Sequence, residues 1–450
     1  MRVSHAVSTA FVCTLSAHLA AEAIRRFVLF SNWVYLVADV LVLLSAIVVF
    51  RLTKLHVPAL LSALFLSYIV WGAVCLALDS GSPLLLVVGA RPLILAFSAY
   101  IVARGFFATA QSPIRTMEYA LFAWTLLALL VGLLQLYAGL GSPINRLPEG
   151  AFSESAGIGD YDVAGVGLEG IFRPTSIFMH TGRLGQFAFA VALVLIVLAI
   201  LRRRTSIRDL LFALVGITLI LLSGQRAALL FVILASLVLI IATRDFRLLY
   251  RVFLVLGVAM IAVFFVNAEL GDLIWNRFSS VVGSIGDRLA ENTSDAVASI
   301  ERFPVVGKGL GYFSFGGRQY GGDIYYEYMA QFGHSGNENS WLRIQGETGI
   351  LGLLLFAMLV FSVTVRSLRE FRLQRDPEAR AIHFAAGTMA ISLTAWAFTH
   401  DVFANYLFLM QWFTLCGASR GYFLRRTVVN RLSDAGLSGQ PSALSRDFSA

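Results

Sequence analysis

The sequence predicts an all-α integral membrane protein with about twelve transmembrane helices and one large loop outside the membrane. Its 450 residues are 58% hydrophobic and only 14% charged, with a mean hydropathy of +0.77. Soluble domains carry about 45–50% apolar residues and roughly 25% charged residues. The apolar residues form continuous runs about as long as a spanning helix, whereas a membrane barrel would show short alternating segments. These observations exclude a soluble globular protein.

The predicted spans lie within residues 1–432, which we interpret as a single polytopic membrane domain. They cover, in order, residues 6–24, 33–50, 57–78, 84–103, 119–138, 184–201, 207–223, 227–243, 248–266, 348–366, 382–400 and 402–424. The first run lacks the compact cationic start and the small-residue cleavage site of a signal peptide, so it predicts the first span. Residues 433–450 are rich in Ser, Gly and charge, which predicts a disordered cytoplasmic tail.

The distribution of basic residues predicts the orientation of the chain. With the N-terminus inside, the inner segments hold 22 of the 35 lysine and arginine residues. This positive-inside pattern places both termini in the cytoplasm and residues 139–183 and 267–347 outside. It also explains the pI near 9.6 without a nucleic-acid partner. The second outer loop is too long for a simple connector, so we expect it to be functional and to contain a helix near 284–302.

Four arginines at the predicted outer membrane boundary are candidate substrate-binding residues. Arg91 lies about 10 Å into the fourth span, Arg173 and Arg183 flank the start of the sixth, and Arg226 begins the eighth. Guanidinium groups match phosphate oxygens bidentately, so several of them together predict a lipid-diphosphate substrate bound without a metal ion. The alternatives are a structural pair of Arg91 with Asp39 and headgroup contacts for the other three arginines.

An ordered series of short motifs runs through residues 84–366. The motifs are, in order, GARPLILAF, LLVGLLQLYAG, FRPTSIFMHTGRLG, LLSGQRAALL, DRLAENTSDAVASIERFPVVGKGLG and ENSWLRIQGETGILGLL. In order and spacing they resemble the O-antigen ligase and O-antigen (Wzy-type) polymerase family of bacterial membrane glycosyltransferases. This resemblance implies a GT-C-like helical fold, an undecaprenyl-diphosphate-linked glycan as donor, and an active site on the extracytoplasmic side of the inner membrane.

The resemblance also suggests roles for individual residues. Arg173 and Arg226 match family arginines that bind the donor, and Glu338 stands where the family carries a histidine. The expected catalytic base is therefore Glu338 or His334, four residues earlier. The structural alternative for Glu338 is to cap the following helix or to pair with Arg343. The residues expected to support the site are Gln135, His180, Asn339, Arg343 and Glu347.

The favoured function is polymerisation of undecaprenyl-diphosphate-linked repeat units in exopolysaccharide or O-antigen synthesis. The base would remove the proton of an acceptor hydroxyl, whose oxygen attacks and inverts the donor's anomeric carbon while arginines stabilise the leaving diphosphate. No cofactor and no metal ion are expected. The alternatives are an O-antigen ligase that transfers the glycan to lipid A–core, and a transporter or flippase of such lipids, although no internal repeat favours transport. Expected partners are the lipid-linked glycans, the bilayer and other polysaccharide-assembly proteins.

Overall fold

All regular secondary structure in the described part of the chain is helical, which confirms the predicted all-α class. The computed structural model describes residues 2–29, 31–79, 81–139, 142–146, 174–178, 181–202, 206–243, 300–303, 305–313, 339–398 and 405–434, together with single residues or pairs within 257–298, 320–326 and 400–403. The last residues of the helix predicted near 284–302 are helical and end before Pro304.

Eleven α-helices lie among the described residues, and we label them in chain order. They are α1 (Arg2–Phe27), α2 (Asn32–Thr53), α3 (Ala59–Leu78), α4 (Pro83–Thr109), α5 (Pro113–Ala138), α6 (Thr181–Leu201), α7 (Ile207–Ser223), α8 (Arg226–Thr243), α9 (Ser340–Leu373), α10 (Pro377–Trp396) and α11 (Tyr406–Asp434). Seven of these, α1 to α6 and α9, are long and apolar enough to cross a membrane. The predicted span 248–266 lies almost entirely outside the described residues, so the count of twelve stays a prediction.

Short polar side chains begin several of the helices. Ser31 accepts a hydrogen bond from the backbone of α2, and Ser82 does the same for α4, where Pro83 follows as the first helical residue. Ser206 and Asp209 form a reciprocal capping box at the start of α7. These side chains satisfy backbone N–H groups that have no partner within the helix. The sequence therefore marks the helix starts locally, ahead of each apolar run.

Helix α9 begins eight residues before the predicted start of the tenth span at 348. The segment WLRIQGET, which precedes the predicted span, contains the charged residues Arg343 and Glu347. Asn339 nevertheless caps it, because its side chain accepts hydrogen bonds from Trp341 N at 3.0 Å and Leu342 N at 3.1 Å. The predicted loop boundary at 347 therefore falls inside a helix. The predicted tail also starts inside a helix, since α11 continues to Asp434; the rest of the tail lies outside the described residues.

Helix α6 lies at the centre of the bundle and is almost fully buried. It contacts α5, α7, α8, α10 and α11, while α11 also packs closely along α4. Gly417 and Gly421 allow this close approach, because a Cβ at either position would clash with a carbonyl oxygen of α4, that of Tyr100 or that of Arg104. In contrast, α2 and α3 expose many large apolar side chains, which suit contact with lipid.

Helices α1 to α8 alternate in direction, and so do α9 to α11, so the bundle has two chemically distinct ends. We call the upper end the one at which α1, α3, α5, α7 and α10 finish and α2, α4, α6, α8, α9 and α11 begin; the lower end is opposite. Hydrogen bonds join these termini within each end, for example from Ser340 N of α9 to Ala397 O after α10. The positive-inside pattern predicts that the upper end faces outward.

Candidate functional site

Several helices meet at the upper end in a network of charged and aromatic side chains. Glu22 of α1 is fully buried and accepts hydrogen bonds from Arg183 Nη1 at 2.5 Å, Tyr35 OH at 2.8 Å and Tyr406 OH at 3.2 Å. A buried carboxylate is tolerated only when it is paired and hydrogen-bonded. Glu22 therefore ties α1 to α2, α6 and α11.

A second ion pair lies beside the first. Arg91 of α4 binds Asp39 of α2 with two hydrogen bonds, from Nε at 2.6 Å and from Nη2 at 3.0 Å. The Nε2 atom of His18 lies 2.8 Å from the same carboxylate. The Arg91 guanidinium also lies 4.7 Å from the ring centre of Tyr406, which makes Tyr406 a shared neighbour of both pairs. The structural alternative for Arg91, a pair with Asp39, is therefore present.

The carboxylates of the two pairs are buried more deeply than the arginines. The side chains of Glu22 and Asp39 are 0% and 12% exposed, whereas those of Arg183 and Arg91 are 26% and 31% exposed. Neither Nη1 of Arg91 nor Nη2 of Arg183 has a hydrogen-bond acceptor among the described residues. Each arginine is thus anchored on one side and keeps donors on the other, an arrangement that suits binding of a further anion.

Gln135, one of the predicted supporting residues, is buried near the end of α5 and positions two loop segments. Its side-chain oxygen accepts a hydrogen bond from Ser176 N at 2.7 Å, and its backbone oxygen accepts one from Asn145 Nδ2 at 2.9 Å. Its role in the described structure is to hold the chain that leads into α6. Arg173 and His180, which flank this chain, lie outside the described residues.

Arg226 is the first residue of α8, so its backbone lies at the upper end. The preceding residue, Gln225, packs against the start of α6, where a Cβ at Gly185 would clash with it. The start of α8 is therefore next to the helix start that carries Arg183. The structure describes the backbone of Arg226 and not its side chain.

The first turns of α9 hold two more of the predicted supporting residues. Arg343 Nη1 donates a hydrogen bond to Glu347 Oε2 at 3.1 Å, and both side chains are buried. Glu347 Oε1 accepts from Phe313 N at 3.1 Å, and the backbone oxygen of Glu347 accepts from Gly309 N at 2.8 Å. Glu347 thus fixes the segment 305–313 against α9, which is a structural role.

Helix α9 kinks at Gly349, where segment 305–313 crosses it. Gly349 has φ 65° and ψ −173°, a backbone conformation that is accessible essentially only to glycine. A Cβ there would also clash with the carbonyl oxygen of Val305. Both the conformation and the close approach therefore require glycine, which explains a motif that the sequence supplied only by resemblance.

Segment 305–313 is also tied to α3. Lys308 Nζ lies 2.7 Å from the carboxylate of Asp79, which follows the last residue of α3. Burial and the neighbouring Asp79 carboxylate raise the pKa of Tyr312 above its usual value.

The two candidate bases, Glu338 and His334, lie outside the described residues, so the choice between them stays a prediction. Asn339 caps α9 with its side chain, and Arg343 pairs with Glu347. The structural alternative for Glu338, a cap or a pair with Arg343, likewise stays a prediction.

The connection between α10 and α11 joins the start of α9 to the charged network. Ser340 Oγ accepts a hydrogen bond from Phe403 N at 3.1 Å, and Asn405 donates to the side chain of Gln186 in α6. Tyr406 follows at once and reaches Glu22. Ser340, at the start of α9, is therefore linked through a few residues to the anchored arginines.

A comparison with known protein families identifies a similar family. Residues 210–357 match the family model described as O-antigen ligase. These residues are similar to members of the O-antigen ligase family over about a third of the chain. The matched region begins in α7, ends in α9, and contains Arg226, Arg343 and Glu347; the match supports the family resemblance that the motifs carry. Members of the O-antigen ligase family are glycosyltransferase-like membrane enzymes of the ligase or polymerase type. A search of curated proteins finds no match to this chain.

The sequence alone predicted the partner of Arg91 as an alternative but did not predict Glu22, the partner of Arg183, or the tyrosines around it. Glu22 lies within the first predicted span, where an ionisable side chain is costly and normally has a partner. That signal would have singled it out beside Asp39. Tyr35 and Tyr406 give no comparable signal, because tyrosine is common near membrane surfaces for other reasons.

Proposed function

We propose that this protein polymerises undecaprenyl-diphosphate-linked oligosaccharide repeat units on the extracytoplasmic face of a bacterial inner membrane. The observation that carries the proposal is the pair of anchored, partly exposed arginines, Arg91 and Arg183, at the upper end of the bundle. Helix α8 begins with Arg226 at the same end and lies within the region that matches the O-antigen ligase family. Fixed guanidinium groups suit a diphosphate, which offers several oxygens to bidentate donors.

The anchoring of Arg91 and Arg183 has a chemical use in this reaction. A glycosyl transfer breaks the bond between the anomeric carbon and the diphosphate oxygen, so negative charge grows on the departing lipid diphosphate. Donors that are already held in place stabilise this charge without reorganising during the reaction. Glu22 and Asp39 hold the two arginines in this way.

The proton of the acceptor hydroxyl needs a base on the opposite side of the anomeric carbon. We assign this role to Glu338, which precedes the cap of α9, with His334 as the alternative. The acceptor oxygen forms the new glycosidic bond, its proton moves to the carboxylate, and the electron pair of the broken bond leaves with the diphosphate. Attack opposite the leaving group inverts the anomeric centre.

Polymerase and ligase differ in the acceptor. The glutamate in place of the family histidine favours the polymerase. Purified protein in liposomes is given a lipid-linked repeat unit, with or without lipid A–core. A polymerase forms longer lipid-linked chains without lipid A–core, whereas a ligase forms product only when lipid A–core is present. Movement of labelled lipid across the bilayer without either product would instead support the transporter.

The proposed orientation can be tested separately from the chemistry. Reporter fusions after Arg204, in a predicted inner loop, and after Gly317, in the predicted outer loop, should report opposite sides of the membrane. Fusions that report the same side would contradict the outward placement of the upper end.

A further inference from the structure

Three arginines lie close to one another at the lower end of the bundle, far from the network at the upper end, and two of them bind the same carboxylate. Glu370 of α9 accepts hydrogen bonds from Arg366 Nε at 3.3 Å and from Arg420 Nη1 of α11 at 3.2 Å. Arg104 of α4 lies within electrostatic range of both arginines. Its backbone oxygen is in contact range of Gly421, the neighbour of Arg420. Two of these three cations thus bind the carboxylate of Glu370, and no ion pair among the described residues joins Arg104 to a carboxylate.

The second oxygen of Glu370 is already engaged. Ser419 Oγ donates to Oε2 of Glu370 at 3.1 Å, and Nδ1 of His383 lies 2.6 Å from Ser419 Oγ. One carboxylate balances one guanidinium, so this group of side chains keeps a net positive charge. His383 is a further donor or acceptor, depending on its protonation.

Arg104 is the least satisfied member of the group. It is 6% exposed, and its Nε and Nη1 atoms are buried without a hydrogen-bond partner in the part of the chain that the structure describes. Nε of Arg420 is in the same condition. Buried guanidinium donors without an acceptor are unfavourable, and native proteins rarely keep them unless another group supplies the acceptor.

An acceptor can reach the group from the surface. The side chains of Arg420 and Arg366 are 20% and 41% exposed, so the arrangement is closed around Arg104 and open at Arg366. The lower end is also the end that the positive-inside pattern places at the cytoplasmic surface, where anionic lipids accumulate and basic pockets between helices bind their headgroups.

We propose that Arg104, Arg366 and Arg420 form a phosphate-binding site at the cytoplasmic membrane surface, separate from the glycan-transfer site. The ligand is a phosphate group, presented by an anionic phospholipid or present as free phosphate. Its oxygens accept from the unpaired donors of Arg104 and Arg420, while Arg366 closes the outer side.

Native mass spectrometry and thermal unfolding of the purified full-length protein test this site. The probes are phosphatidylglycerol, phosphatidylcholine and inorganic phosphate, each titrated into delipidated protein. We expect phosphatidylglycerol to bind and stabilise the wild type, and Arg104→Gln to weaken this binding at least tenfold. Arg369→Gln is the matched control, because Arg369 is exposed on α9, three residues after Arg366, and its replacement makes the same charge change. The affinity of this variant for phosphatidylglycerol should change less than twofold. Stabilisation by inorganic phosphate alone would identify free phosphate as the ligand.

A second measurement separates a site from a structural arginine. Without ligand, Arg104→Gln should unfold at the same or a higher temperature than the wild type, because it removes an unpaired buried charge. Loss of stability in the delipidated variant would show that Arg104 has an internal partner, and would overturn the proposal. Equal binding of phosphatidylglycerol by the wild type and Arg104→Gln, or absence of any response to both phosphate probes in the wild type, would overturn it as well.

Discussion

Replacing Glu22 should destabilise the protein strongly, because three donors from three helices converge on this one buried carboxylate. Removing one partner of a buried ion pair costs about 3–5 kcal/mol. Water partly compensates Arg183, whose side chain is 26% exposed, so we expect about 2–3 kcal/mol for Glu22→Gln, which keeps an acceptor for Tyr35 and Tyr406. Glu22→Ala also loses those two hydrogen bonds and should cost about 2 kcal/mol more.

The assay is thermal unfolding of the purified protein in one detergent, compared as a ranking of Tm. Glu378→Gln is the control, because Glu378 pairs with Arg202 at 3.0 Å at the lower end but is 41% exposed. Exposed pairs contribute about 0–1 kcal/mol. We therefore expect the Tm to fall in the order Glu378→Gln, Glu22→Gln, Glu22→Ala. Equal Tm values for the three variants would refute the reasoning that burial makes the Glu22 network stabilising.

Two further predictions concern the start of α9. Gly349→Ala should cost about 1–3 kcal/mol for its backbone conformation alone, with a further loss from the clash with Val305, and should lower both Tm and activity. The control is Gly132→Ala, since Gly132 lies within a helix and the new methyl group would make only ordinary contacts. This control should leave Tm and activity unchanged. Equal losses in the two variants would argue against a special requirement for glycine at the kink. Glu338→Gln should keep donor binding and lose turnover, while His334→Ala stays active. The reverse pattern, measured as lipid-linked polymer formed by the purified variants, moves the base to His334.

The helices were predictable because lipid offers no hydrogen-bond partners to the backbone. Every long apolar run therefore has to be helical, whatever its neighbours are. The start of α9 was not predictable in the same way. The sequence placed its charged residues Arg343 and Glu347 in or next to the outer loop. In the structure, these two side chains pair with each other, and Glu347 also accepts hydrogen bonds from Phe313 and Gly309 of a segment distant in sequence.

The candidate site, too, was predictable only in part. The pair of Arg91 and Asp39 was foreseen as an alternative, because two costly charges in neighbouring spans are expected to meet. The partner of Arg183 was not foreseen, because Glu22 precedes Arg183 by 161 residues and no local sequence pattern joins the two. The network that holds the arginines in place is a property of tertiary packing, which a single sequence does not display.

The central claim is that the arginines of the upper end bind a lipid diphosphate, and direct binding tests it best. The measurement is the affinity of the purified protein for undecaprenyl diphosphate and for undecaprenyl monophosphate. We expect the wild type to prefer the diphosphate at least tenfold, and Arg173→Ala and Arg226→Ala to lose this preference. Replacing Arg173 or Arg226 with lysine should restore little of the preference for the diphosphate, because an ammonium group keeps the charge without the planar fork of a guanidinium. Arg208→Ala, at the opposite end, should bind as the wild type does. Equal affinity for the two lipids, or full recovery with lysine, would contradict the claim and indicate general attraction to lipid headgroups.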